Sequence, residues 1–151
     1  MDLDLSPTSR RTVRAFARAA ETRTLEERLL VEGARQLLQA RKKIASLAPK
    51  GLFRDPAWDM MLELFISGEE GGILYVKQIM IASGESTAAA MRRIDRLHEA
   101  DFIERIQDPL DHRRVIVRLT ERGRQAMVTM LKHAFEPGAG RAGAPVPYTP
   151  R

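Results

Sequence analysis

Two arginines at helical spacing, Arg92 and Arg96, are the residues of this 151-residue chain best suited to bind an anionic partner. They lie four residues apart, so a helix places both on one face. A guanidinium group can donate two parallel hydrogen bonds to guanine or to a phosphate. We expect Arg92 to reach base edges and Arg96, one turn further along, to contact phosphate. The preceding residues are small or carry hydroxyl groups, which permits close approach to a nucleic acid: Ser86, Thr87, Ala88 and Ala89.

A second polar cluster joins two segments, 102–107 and 114–119, whose composition is strand-like. The connection between them predicts a β-hairpin with a polar tip that has no evident role in a core. A narrow minor groove of DNA attracts arginine, so we expect Arg113 or Arg114 to enter one. A protonated histidine can contact phosphate. The hairpin residues predicted to contact DNA are therefore Asp111, His112, Arg113 and Arg114.

The arginines of both clusters must be positioned by elements that the sequence also predicts. A short helix from Tyr75 to Ser83 is followed by Gly84, which accepts a positive φ without steric cost. Ser86 can cap a second helix from Thr87 to about Ala100. The order of short helix, glycine turn, helix and hairpin predicts a winged helix-turn-helix. A helix fits the major groove, where each base pair displays a distinct pattern of donors and acceptors.

A long helix is predicted at 24–48, where Thr24 can cap the first turn and Pro49 stops the last. At 1.5 Å per residue it is about 37 Å long and overhangs a small domain. We expect its apolar stripe to need a partner beyond its own core, and a second copy of the chain is the simplest candidate. The predicted dimer contacts are Leu30, Ala34, Leu37 and Leu38.

Composition excludes several other kinds of protein. The chain has no cysteine, which rules out disulfides and thiolate chemistry. No apolar run approaches the roughly 20 residues that cross a bilayer, so we expect no membrane partner. The absence of cysteine fits a reducing cytoplasm, and we expect a cytoplasmic, nucleoid-associated location. The three histidines show no metal-ligand spacing, and no residue cluster suggests catalysis, so we predict no metal, no cofactor and no enzymatic activity. Residues 84–124 carry nine basic and eight acidic residues, so net charge alone does not identify a DNA-binding segment.

The motifs between Gly84 and Gly123 resemble the MarR family of bacterial regulators, and the resemblance extends over about residues 24–134. It depends first on Gly84-Glu85-Ser86-Thr87 and on Arg92-Arg93-Ile94-Asp95-Arg96-Leu97. Its most specific part is the hairpin Asp108-Pro109-Leu110-Asp111-His112-Arg113-Arg114 followed by Leu119-Thr120-Glu121-Arg122-Gly123.

The resemblance implies that Asp111 braces Arg113 as that arginine enters the minor groove. It also implies an obligate two-fold dimer, built by the first and last helices, on a palindromic operator. The chain departs from the family pattern in two places. Asp101 stands where relatives usually carry glycine, although aspartate also tolerates the left-handed conformation. A Pro- and Gly-rich segment follows the last helix instead of another long dimerisation helix. We therefore expect the dimer to depend mainly on residues 24–48 and a family-style effector pocket to be reduced or absent.

The sequence therefore predicts a mainly α fold with a small β-wing, a winged helix-turn-helix with a long N-terminal dimerisation helix. The predicted regions are a flexible basic arm (1–22), the dimerisation helix (23–49), the DNA-binding domain (52–134) and a disordered tail (136–151). The predicted function is sequence-specific binding of double-stranded DNA by a homodimeric regulator, a repressor by analogy with the family. The alternative is a winged-helix module that binds a protein and has little affinity for DNA. Whether a small-molecule effector exists is left open.

Overall fold

The structure, a computed structural model, describes residues 24–135 and consists of five helices and a small three-stranded sheet. In chain order the elements are α1 (Leu25–Leu47), α2 (Pro56–Glu69), β1 (Leu74–Tyr75), α3 (Val76–Ser83), α4 (Thr87–Glu99), β2 (Ile103–Gln107), β3 (Val115–Leu119) and α5 (Glu121–Phe135). The predicted basic arm at 1–22 and the predicted tail at 136–151 lie outside the described residues.

Local capping chemistry fixes where the first two helices begin. Thr24 Oγ1 accepts a hydrogen bond from the Glu27 backbone, and the Glu27 carboxylate accepts one from the Thr24 backbone at 2.7 Å. These reciprocal bonds satisfy two donors that a helix start would otherwise leave unpaired. At the second helix Asp55 caps, with Pro56 at the first helical position. The predicted helix starts at Thr24 and Asp55 are confirmed.

The core is built around α2, which contacts α1, α3, α4, α5 and β3. Met60, Leu62 and Phe65 on α2 are almost completely buried. The helix is apolar nearly all round because neighbouring elements cover it on several sides. It is therefore the central element against which the helix-turn-helix is oriented.

The apolar stripe of α1 is buried within the same chain. Leu30, Ala34 and Leu38 are at most 7% exposed, and Leu37 packs against the same core. Because α2 and α5 cover this stripe, Leu30, Ala34 and Leu38 offer little surface to a second copy, whereas Leu37 stays partly exposed. The dimer contacts predicted at Leu30, Ala34 and Leu38 are thus core positions of this chain, and the contact predicted at Leu37 stays a prediction. The apolar side chains that α1 does expose lie elsewhere on it: Leu25, Leu29, Ile44 and Leu47.

The sheet has the order β1-β3-β2, with both neighbouring pairs antiparallel. The predicted hairpin is confirmed, with Ile103 opposite Leu119 and Gln107 opposite Val115. The strand β1 was not predicted from the sequence; its two residues pair with β3 immediately before α3 begins. This strand attaches the start of the helix-turn-helix to the hairpin. With α3, the Gly84 turn, α4 and the hairpin, the fold is a winged helix-turn-helix that is mainly helical.

The turn between α4 and β2 confirms the expectation for Asp101. This residue has a φ of 60°, and it is the one non-glycine residue with a positive φ among residues 24–135. The Thr120 hydroxyl donates to the Asp101 carbonyl and also accepts from the Gly123 backbone, at 3.0 Å in the second case. Thr120 thus ties the start of α5 to the end of α4, close to the beginning of the hairpin.

Candidate nucleic-acid interface

The start of α4 is defined by a tight turn and a side-chain cap. Gly84 has a φ of 67°, the left-handed conformation that the sequence predicts for it. Ser86 Oγ accepts from the Ala89 backbone at 3.3 Å, which satisfies one of the unpaired donors at the helix start. On the inner side Ala90 and Ile94 are fully buried. These contacts fix which face of α4 points outward.

The outward face of α4 is the face predicted for DNA contact. Ser86, Thr87, Ala88, Arg92 and Arg96 are exposed or partly exposed, and Ala89 is partly buried. Within residues 24–135 neither Arg92 nor Arg96 has an ion-pair partner, whereas Arg105 and Arg118 on the neighbouring hairpin each pair with a carboxylate. An accessible guanidinium without a counter-charge keeps its donors available for an external anion.

Arg93 also belongs to this face, although its role was not predicted from the sequence. With Ala89, Arg92 and Arg96 it lines a surface concavity of about 330 Å³. Its Nε donates to Glu85 Oε2 at 2.7 Å. This bond is the main reason that the pKa of the Arg93 guanidinium is raised above its ordinary value. The glycine turn brings Glu85 back over α4, a proximity that helical spacing does not predict.

The base of the hairpin is held together by a network around the buried carboxylate of Asp108. This carboxylate accepts from the Leu110 backbone at 2.8 Å and from the Tyr75 hydroxyl at 3.0 Å. The Arg114 guanidinium stacks 3.9 Å from the Tyr75 ring centre and lies 3.7 Å from the Asp108 carboxylate. The Leu110 amide, followed by Tyr75 and Arg114, holds the pKa of Asp108 below its ordinary value.

At the tip of the hairpin Asp111 contacts Arg113 as the family resemblance implies. One Asp111 oxygen accepts from the Arg113 backbone and from Arg113 Nε, each at 3.1 Å. This pairing lowers the pKa of the Asp111 carboxyl group. The Arg113 side chain is nevertheless 90% exposed, so its direction is constrained while its outer edge faces solvent. His112 is exposed, and its carbonyl accepts from Gln107 Nε2 at 3.0 Å.

A second concavity, of about 450 Å³, lies between α3 and the hairpin. Its walls are mainly apolar, including Met80, Ile81 and Val115, and Arg113 and Arg114 also line it. The two hairpin arginines therefore border this groove as well as the exposed tip.

Metal-binding and membrane-spanning features are absent from the described part of the chain. Among residues 24–135 no group of three His, Asp or Glu side chains is arranged to hold a metal ion. No helix in that range is long and apolar enough to cross a membrane.

Among solved structures, MarR from E. coli is similar to this chain. A crystal structure of a cysteine-to-serine mutant of MarR from E. coli matches with 18% sequence identity and a TM-score of 0.43 over 70% of each chain. No protein-family model matches the sequence. No curated protein matches it either.

Proposed function

We propose that this protein is a transcription regulator that binds double-stranded DNA sequence-specifically through α4 and the hairpin. The observation that carries the proposal is that Arg92 and Arg96 are exposed and have no ion-pair partner within residues 24–135. They lie one turn apart on the outer face of a capped helix, and within residues 24–135 no carboxylate neutralises them. Arginines that serve only local structure are usually paired with a carboxylate or a carbonyl, as Arg124 is with Glu69 and Glu27 here.

In the proposed complex α4 lies in the major groove of B-DNA. The small side chains of Ala88 and Ala89 allow the helix backbone to approach, and Arg92 then reaches a base edge, with guanine as the favoured partner. Arg96 contacts a phosphate, which orients the protein without reading sequence. Arg93 Nε already donates to Glu85, so this nitrogen is not available to DNA. The positive charge of Arg93 still contributes to the electrostatic potential of the outer face of α4.

The hairpin is proposed to act as the wing and to contact the adjacent minor groove. Arg113 has the exposed edge that such a contact requires, and its bonds to Asp111 limit the conformations that must be lost on binding. Arg114 is stacked on Tyr75 and lies near Asp108, so we assign it to the base of the wing and to the DNA backbone. His112 remains a candidate for phosphate contact.

We further propose that the regulator is a homodimer on a palindromic operator and that it represses by blocking promoter access. We assign the dimer surface to exposed apolar residues of α1 and α5 rather than to the buried stripe of α1. Leu29 is 64% exposed, and Phe135 is 45% exposed with its ring against Gly33. A two-fold dimer of winged helices places its half-sites about 34–36 Å apart. A cytoplasmic, nucleoid-associated location follows from this function.

The test uses the purified protein to select binding sequences from a pool of random DNA duplexes at two salt concentrations. The selected duplexes are then sequenced. We expect an enriched palindrome and an affinity that falls steeply with salt, because each phosphate contact releases counterions. Weak binding with no enriched sequence would reduce the interaction to phosphate attraction and would contradict the proposal.

The alternative is a winged-helix module that binds a protein. Leu110 at the hairpin tip is 59% exposed, and Ile81 on α3 is 71% exposed, which are the apolar contacts such a module would use. Trp58 is partly buried against the core, so it exposes less apolar surface than these two residues. If a protein is the partner, Leu110→Ser abolishes binding of that protein and Arg92→Ala leaves it unchanged. If DNA is the partner, Arg92→Ala weakens DNA binding and Leu110→Ser does not.

A further inference from the structure

The helix-turn-helix turn is held from outside by a side chain of the α1–α2 loop. Arg54 Nη2 donates to the Ala82 carbonyl at 3.3 Å. Its guanidinium also lies directly on Gly84, where an added methyl group would overlap Nη1. Gly84 is therefore needed for two reasons, its φ of 67° and the room that it leaves for Arg54.

A buried carboxylate on α2 lies beside the guanidinium group of Arg54. Arg54 Nε lies 4.0 Å from Asp59 Oδ2, and the Asp59 side chain is only 8% exposed. The other Asp59 oxygen accepts from Arg41 Nε on α1 at 2.7 Å. Asp59 thus links two arginines from different segments, and the described residues offer the buried Nε of Arg54 no hydrogen bond. These contacts form a continuous chain from α1 through α2 to the turn that precedes α4.

From this chain of contacts we infer that Arg54 is a positioning residue that sets the placement of α4 for sequence-specific DNA binding. The inference rests on the proposed function. Arg92 lies in the second turn of α4, so a displacement of the Gly84 turn is carried directly to it. Bidentate contacts tolerate misplacement of only about 0.5 Å and 10–20°. Loss of Arg54 therefore weakens base contacts more than it weakens contacts made through charge alone.

The first test compares affinity for the selected operator with affinity for a scrambled duplex at one salt concentration. We expect Arg54→Ala to weaken operator binding about tenfold and to leave scrambled-duplex binding nearly unchanged. Arg54→Lys retains the positive charge and the ability to donate hydrogen bonds, but an ammonium group cannot reproduce the planar guanidinium fork, so we expect an intermediate ratio of operator to scrambled-duplex affinity. Lys50→Ala is the matched control, because it removes an exposed positive charge from the same loop.

A second test uses hydrogen exchange of the free protein and does not depend on DNA. We expect Arg54→Ala and Arg54→Lys to speed amide exchange across the turn at 82–90, while Lys50→Ala leaves exchange there unchanged. If exchange changes as expected but the duplex selection yields no operator, the proposed function is refuted, while the role of Arg54 in holding the Gly84 turn is supported. Unchanged exchange, or equal losses of operator and scrambled-duplex affinity, would overturn the role of Arg54. If Arg54→Ala does not fold, the Lys variant decides both tests.

Discussion

Replacing Arg92 and Arg96 separately distinguishes reading of bases from attraction to phosphate. Both side chains lie on the outer face of α4 and neither has an ion-pair partner within residues 24–135, so alanine at either position should change the free energy of unfolding by less than about 0.5 kcal/mol. A loss of DNA binding in these variants cannot then be attributed to unfolding. Thermal unfolding of each variant provides this check.

The two variants are expected to fail in different ways. A bidentate base contact contributes about 1–3 kcal/mol of discrimination, so Arg92→Ala should weaken binding about 5- to 150-fold for each half-site. It should also relax the base preference at one position. Arg96→Ala should weaken binding to all sequences similarly. It should also reduce the slope of log K against log salt by about 0.9 for each phosphate that the side chain neutralises in the native complex.

The assay is a fluorescence anisotropy titration of operator and single-base variants over a salt series. Arg28→Ala is the control, because Arg28 is an exposed arginine on α1, with no ion pair inside 24–135. Base reading by Arg92 is refuted if Arg92→Ala weakens all duplexes equally, or if Arg28→Ala has as large an effect as Arg92→Ala.

Three further predictions concern the packing, the wing and the dimer. Gly123→Ala should lower the free energy of unfolding by about 1–3 kcal/mol in a denaturant titration, because the added methyl group would overlap the Phe102 carbonyl; an unchanged midpoint would contradict the packing of α5 on this turn. Asp108→Asn should destabilise the protein at pH 5–7. Because the pKa of Asp108 lies below its ordinary 3.8, the stabilisation by its carboxylate is complete above that value and is lost as the pH falls through the lowered pKa. Thermal unfolding over a pH series measures this, and a loss beginning near pH 6 would contradict it. Leu29→Glu should shift the sedimentation velocity profile from dimer to monomer without lowering the melting temperature, whereas an unchanged dimer would place the interface elsewhere.

Much of the fold is predictable because its boundaries are set by local chemistry. Thr24, Asp55 and Ser86 cap helices through their own side chains, and Gly84 and Asp101 adopt the left-handed conformation for which their residue types are suited. Such signals act within a few residues and are visible in a single sequence. The hairpin is likewise visible from its composition and its polar connection.

The features that were not predicted depend on contacts between distant segments. The stripe of α1 indicates that an apolar face must be covered, and periodicity cannot say whether α2 or another molecule covers it. Arg54 reaches Ala82 across 28 positions, and Tyr75 reaches Asp108 across 33. Tyr75 and Arg54 have no local pattern that marks them, so their roles emerge only once the chain is folded.

The central claim is that the outer face of α4 and the wing bind duplex DNA. It is tested most directly by backbone amide chemical shifts in an NMR titration of the full chain with the selected operator. We predict that the largest changes fall on residues 86–96 and 108–114 and that α1 changes little. Operator binding with the main changes on α1 or α5, and none on these two segments, would contradict the claim.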